Sequence, residues 1–259
     1  MCFESDARPP LPPISGGAGV VGADPVVLEA SDGNRFNAFS ARTDVAGAPG
    51  VAILPDVRGL HPFYEDLALR FAEAGVHATA LDYFGRTAGL GPRGDDFDHQ
   101  PHRERTRPQT IALDVEATVG HLRRPEGGAA ERIVTVGFCF GGRHSFLQAA
   151  GDLGLDGVIG FYGWPDRADP DDPSAPTLLA DRFTCPVLGL FGGADRGIPR
   201  EAVERFRRAL DQAGVRNEIV IYEGAPHSFF DRSYEEHREA SEDAWRRVLG
   251  FVCAGSNEA

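Results

Sequence analysis

The run RIVTVGFCFGG, Arg132 to Gly142, decides how the chain is to be read. Its first half, RIVTVGF, is a strand by composition, and it runs straight into a cluster of glycines. Its second half, GFCFGG, has the spacing of a nucleophile elbow, G-x-S-x-G, with Cys139 in place of the serine. Such an elbow is a sharp strand-to-helix turn. Small residues at Gly137, Gly141 and Gly142 let the backbone bend and the helix pack close to the strand. After Arg143, HSFLQAA continues as that helix. Cys139 is then expected above the C-terminal edge of a sheet, where parallel α/β folds bind ligands. It also stands at a helix N-terminus, whose partial positive charge favours a thiolate. The other reading is a small packed thiol, as free cysteines often are.

Outward from this stretch the same alternation recurs. VVLEA and RFNAFSAR read as a hairpin around the turn SDGN. GVAILP (50–55) is a continuous apolar run, as expected of a strand buried on both faces. A helix over 62–75 ends at Gly75, and VHATALD (76–82) is another strand. Residues 85–106 read as a long polar loop. A helix over 108–123 carries Ile111, Val115, Val119 and Leu122 on one side. GVIGFYG (157–163), PVLGLFG (186–192) and NEIVIY (217–222) are further strands, with helices over 199–213 and 233–253. This order predicts an α/β fold, a mainly parallel central sheet with helices on both faces. Residues 1–24, rich in Pro and Gly, are expected as a flexible tail, and 25–259 as a single domain. Gly17, Gly19 and Gly22 have G-x-G-x-x-G spacing but lack a preceding strand, so a dinucleotide loop is not expected.

Composition removes several function classes. The 259 residues carry a net charge of −13, which argues against a basic nucleic-acid surface. All 26 basic residues are arginine. Without lysine there is neither a Walker-type phosphate loop nor a Schiff-base nucleophile. The four cysteines, Cys2, Cys139, Cys185 and Cys253, form no close pairs, so neither a zinc knuckle nor a disulfide framework is expected. No apolar run reaches membrane-spanning length, and the N-terminus shows no signal-peptide pattern. A cytoplasmic enzyme with reduced thiols, a monomer or homodimer that binds neither membrane nor nucleic acid, is the expectation.

Two more pieces follow the elbow in the order nucleophile, acid, base. Asp195, in VLGLFGGADRGIP, follows a buried strand. His227, in YEGAPHSFF, lies just past another. The acid would orient the imidazole, and the imidazole would take the thiol proton. Singly, Asp195 could cap a helix and His227 could be an exposed loop histidine. Together, each at a strand end, they predict nucleophilic catalysis.

The set GFCFGG, LFGGAD and GAPHSFF resembles the dienelactone hydrolase family of α/β-hydrolases, over about Val26 to Val252. The resemblance implies hydrolysis of a small ester or lactone through a thioester, with no cofactor and no metal. It makes Cys139 the nucleophile, Asp195 the acid and His227 the base, with the backbone N–H groups of Phe140 and Val57 as oxyanion donors. LPDVRGL places Asp56 where the family has a thiol-activating glutamate; contact with the thiol, or holding the loop and bonding Arg58, are both open. DYFGRTAG places Arg86 where the family binds a substrate carboxylate; the alternative is an ion pair with an acid such as Asp95 or Asp96. Asp231 stands where the family carries a second substrate-binding arginine, which points to a different ester or lactone from the family's name compound.

Phe84, Phe140, Trp164 and Phe229 are candidate pocket walls or ordinary core. The 85–106 segment is a candidate lid. Its His99 and His102 fit a solvated or lid-packing role better than a metal, which needs three or four placed ligands. Two other functions remain: the same triad passing its acyl group to another acceptor, as an acyltransferase or cyclase, and a non-catalytic ligand-binding relative.

Overall fold

The structure, a computed structural model, describes residues 17–93, 96–166 and 173–254. Cys2 and Asp95 lie outside them. The chain forms two compact units, divided between Ile133 and Val134.

The first unit opens with β1 (Val20–Glu29) and β2 (Arg35–Thr43), an antiparallel hairpin in register from Gly22↔Arg42 to Glu29↔Arg35. The hairpin is the expected one, but β1 starts at Val20, inside the stretch expected as tail. Val20–Asp24 pairs with β2, whose backbone satisfies it. Gly19 and Gly22 thus lead into and sit within a strand, with no phosphate loop.

β3 (Gly50–Leu54), α1 (Pro62–Glu73) and β4 (His77–Leu81) follow, then α2 (Gly85–Ala88), α3 (Gln100–Arg105) and α4 (Pro108–Leu122). The strand order is β1-β2-β4-β3, with β3 and β4 parallel. Every residue of β3 and β4 is buried, which explains their unbroken apolar character. α1 starts with Pro62, whose missing N–H costs nothing in a first turn. It buries Phe63, Tyr64, Leu67, Ala68, Phe71 and Ala72 and stops before Gly75, at φ 84°.

The segment expected as a polar loop holds two short helices, α2 and α3. They exist because their surroundings hold them. Phe84, fully buried, meets Phe97 and His102 at ring distances of 6.0 and 5.9 Å. Arg93 stacks over Phe84 and Phe97 and pairs with the buried Asp82 at 2.5 Å. His102 stacks on Phe97, and among the described residues no three metal-ligating side chains cluster.

The second unit runs β5 (Ile133–Phe138), α5 (Phe140–Gln148), β6 (Gly157–Phe161), β7 (Val187–Gly192), α6 (Arg200–Gln212), β8 (Asn217–Tyr222) and α7 (Arg238–Cys253). Its strands lie in chain order and pair in parallel throughout. α6 buries Ala202, Val203, Phe206 and Leu210 and turns its arginines and glutamates outward. α7 begins five residues later than its composition suggests, because residues 231–237 form turns. Beneath the C-terminal ends of the strands lies an aromatic layer. Phe138 stacks on Phe161 at 4.8 Å, Phe161 meets Phe230 at 4.6 Å, and Phe230 reaches Trp245 at 6.3 Å.

Candidate active site

β5 delivers Cys139 at a bend that only a crowded backbone produces. Cys139 has φ 53° and ψ −111°, a conformation that L-residues avoid. Its N–H bonds to Phe161 O at 3.0 Å, and its carbonyl accepts from Arg143 N at 3.2 Å. It caps the N-terminus of α5. The glycines around it are forced: a Cβ on Gly137 would stand 2.0 Å from Gly141 O, and one on Gly142 2.6 Å from Phe161 O. The sulfur-bearing residue is partly exposed.

Asp195 follows β7. One carboxylate oxygen accepts N–H bonds from Gly197 at 2.7 Å and Ile198 at 3.2 Å. The other meets His227 Nδ1 at 2.6 Å. The carboxylate is thus held by its own loop and aimed at the imidazole. The two loops are close because Gly192 has no side chain; a Cβ there would fall 2.4 Å from Ala225 O. Ala194 N also donates to Ala225 O at 2.9 Å.

The His227 ring bonds Asp195 through Nδ1. Burial of the ring opposes its charged form. Asp195 and Cys139 outweigh that and raise His227 to about 10. Asp195 and His227 thereby form a bonded pair just past the ends of β7 and β8, and Cys139 stands at the end of β5.

The remaining candidates have other neighbours. Asp56 is buried in the turn after β3, its carboxylate accepting from Arg58 N at 2.9 Å and Arg58 Nη2 at 2.9 Å, with His61 at 3.7 Å. Burial raises its carboxyl, but His61 and Arg58 hold it well below the usual carboxylate range. Of the two roles open to it, holding the loop and bonding Arg58 is the one displayed. Val57, beside it, is half-buried. Arg86 is occupied by Asp32 and by Asp114 at 2.8 Å, acids from the hairpin turn and α4 that lie far off in sequence. Phe229 is fully buried among Tyr162, Phe161 and Tyr222, so it packs as core, as Phe84 does. Phe140 and Trp164 keep partial exposure. Phe140 meets the His144 ring at 4.4 Å, and the Trp164 carbonyl accepts from Arg143 at 3.0 Å. His144 is buried in α5, which pushes it down to about 3.

Sequence reading passed over Tyr162. Its backbone has φ 37°, and its ring lies 4.9 Å from that of His227. The only trace in the sequence is its place at the end of a strand.

Strand–helix alternation ending in a nucleophile-type elbow defines an α/β-hydrolase. Residues 36–254 match the Dienelactone hydrolase family, and the chain belongs to it. A "Putative carboxymethylenebutenolidase" of Salmonella typhimurium is 32% identical over 230 residues, covering 85% of this chain and 83% of that one. A "Probable 2-oxo-3-(5-oxofuran-2-ylidene)propanoate lactonase" of Bradyrhizobium is 28% identical over 228 residues, 86% of this chain and 90% of its own. A crystal structure of a "Putative Dienelactone Hydrolase" from Klebsiella pneumoniae superposes with a TM-score of 0.77 at 28% identity, covering 90% of this chain and 98% of that one. The chain is a carboxylic-ester or lactone hydrolase of this type. No helix among the described residues is long and apolar enough to cross a membrane.

Proposed function

We propose that the chain hydrolyses a small, uncharged carboxylic ester or lactone, with Cys139 as nucleophile, His227 as general base and acid, and Asp195 as the group that orients the imidazole. The observation that carries this reading is the 2.6 Å bond from the His227 imidazole to Asp195, with Cys139 held at the strained elbow after β5. His227 holds the proton given up by the thiol, so that sulfur attacks the carbonyl carbon as a thiolate beside the imidazolium. The developing oxyanion forms beside the N-terminal turn of α5, where the Phe140 N–H and the helix dipole favour negative charge. Collapse of the tetrahedral intermediate expels the leaving oxygen, which receives the proton from His227. A thioester remains on Cys139. Water, deprotonated by the same imidazole, attacks it and releases the carboxylic acid and the thiol.

The preference for an uncharged substrate rests on two features. Asp231 stands in place of the cation that the family resemblance would supply. The Arg86 guanidinium is already neutralised by two carboxylates. In the second unit Arg143 is likewise spent on the carbonyls of Trp164 and Asp166, at 3.0 and 2.7 Å.

The test is a steady-state rate on paired aryl esters and small lactones, with and without a carboxylate, for wild type and Cys139→Ala. Turnover of the neutral members by wild type alone supports the reading. Retention of the full rate by Cys139→Ala removes the thiol mechanism, and faster turnover of the acidic members removes the charge preference. Product analysis with an added amine or alcohol separates hydrolysis from acyl transfer.

A further inference from the structure

The geometry points to a buried Tyr162–Asp231 pair as the brace that keeps the His227 imidazole in line with Cys139, making Tyr162 a positioning residue of the reaction. This rests on the triad reading just given. Tyr162 follows β6 with φ 37°, in the left-handed region that a bulky aromatic residue adopts only when its surroundings impose it. Those surroundings are visible. Its N–H donates to Leu190 O at 2.8 Å. The next residue, Gly163, lies so close to the elbow helix that a Cβ on it would fall 2.4 Å from Arg143 N. The bend therefore cannot relax toward the elbow, and the tyrosine ring lies against His227 at 4.9 Å and 54°.

The far end of the ring is fixed as well. The Tyr162 hydroxyl donates to Asp231 Oδ2 at 2.9 Å, and Asp231 also accepts the N–H of Arg232. Asp231 is only 2% exposed. A carboxylate that deep is costly unless its oxygens are bonded, so its partners must hold it firmly. Asp231 and His227 belong to one short loop, bent just after His227 by Ser228 at φ 59°. Tyr162 thus grips that loop twice, by its ring at His227 and by its hydroxyl at Asp231. The Asp195 bond alone lets the imidazole pivot about Nδ1; the tyrosine face closes that freedom.

The test compares wild type with Tyr162→Phe, Asp231→Asn, the double variant and Tyr162→Leu. Tyr162→Phe keeps the ring and loses the hydroxyl. Two rates are read: turnover of a neutral aryl ester, and alkylation of Cys139 by iodoacetamide, which needs no substrate. Misplacement of a proton-transfer group by a fraction of an ångström predicts kcat down about tenfold in Tyr162→Phe and about a hundredfold in Tyr162→Leu, with KM within about twofold. Alkylation slows in the same order. Because the two residues act as one unit, the double variant falls no further than the worse single variant. Folded Tyr162→Phe and Asp231→Asn proteins with both rates within about twofold of wild type overturn the brace, whatever their melting temperatures. A rise in KM at constant kcat overturns it too, since Tyr162 would then touch substrate. If wild type cleaves no ester, the hydrolase reading fails, and the alkylation rates alone still decide the brace. Should Tyr162→Leu not fold, the Phe and Asn variants carry the comparison.

Discussion

Asp195 spends one oxygen on its own loop and the other on His227, so Asp195→Asn changes little in shape and much in chemistry. On the proposed mechanism, the neutral amide no longer supports the charged imidazole or fixes its orientation. We expect kcat to fall by about 10³- to 10⁴-fold with the fold retained, checked by ester kinetics beside circular dichroism. At this scale the sequence was eloquent about some residues and silent about others. That Cys139, Asp195 and His227 stand at strand ends was legible because each sits in a short motif after an apolar run. Arg86 was not. Whether a guanidinium is free depends on what lies across from it, and its partners Asp32 and Asp114 are 54 and 28 residues away. Tyr162 was invisible because its part comes from a backbone angle, which no side-chain pattern records.

The elbow is the element whose geometry tolerates least. A methyl group on Gly137 meets a carbonyl oxygen of its own turn, a collision with backbone that no rotamer relieves. Gly137→Ala is therefore expected to destabilise the protein by about 2–4 kcal/mol, within the range of severe single substitutions, and to reduce turnover by distorting Cys139. Urea unfolding followed by fluorescence measures the first and ester kinetics the second; an unchanged midpoint would show that the turn can open. Elsewhere the elements behave as ordinary core. Phe206 is the fully buried centre of the apolar stripe of α6, in contact with Phe146 at 5.0 Å. Phe206→Ala should cost about 3–5 kcal/mol by losing buried area and leaving a cavity, while ester KM on the surviving folded protein stays near wild type. Long elements were readable because their periodicity is their own. α2 and α3 were not, since four- and six-residue helices are too short to be stable alone and exist through the packing around Phe84 and Arg93.

For the whole molecule, the shifted groups predict how stability follows pH. A group whose folded pKa exceeds its unfolded one stabilises fully below the unfolded value and loses that contribution as pH climbs through the folded value. For His227 the window runs from the ordinary 6.5 to about 10. The urea midpoint should decline across it, and His227→Gln should flatten that decline. Above the ordinary thiol value, burial of Cys185, which raises it to about 12, adds a further loss. Asp56 has the opposite sign. Its lowered carboxyl stabilises above the ordinary 3.8, and the contribution fades as pH falls below that. A midpoint of His227→Gln that tracks wild type from pH 6.5 to 10 would count against the Asp195–His227 coupling. The sequence by itself determined the α/β alternation, the elbow turn and the chain order in which Cys139, Asp195 and His227 reach their strand ends. Those depend on local patterns: apolar runs for strands buried on both faces, glycines where a backbone must bend, polar residues at strand ends. Tertiary structure alone decided which charges are spent on one another, which aromatic rings are core, and which groups press on the imidazole. Each of those is a matter of distance between residues far apart in the chain, and distance is created only when the strands pair.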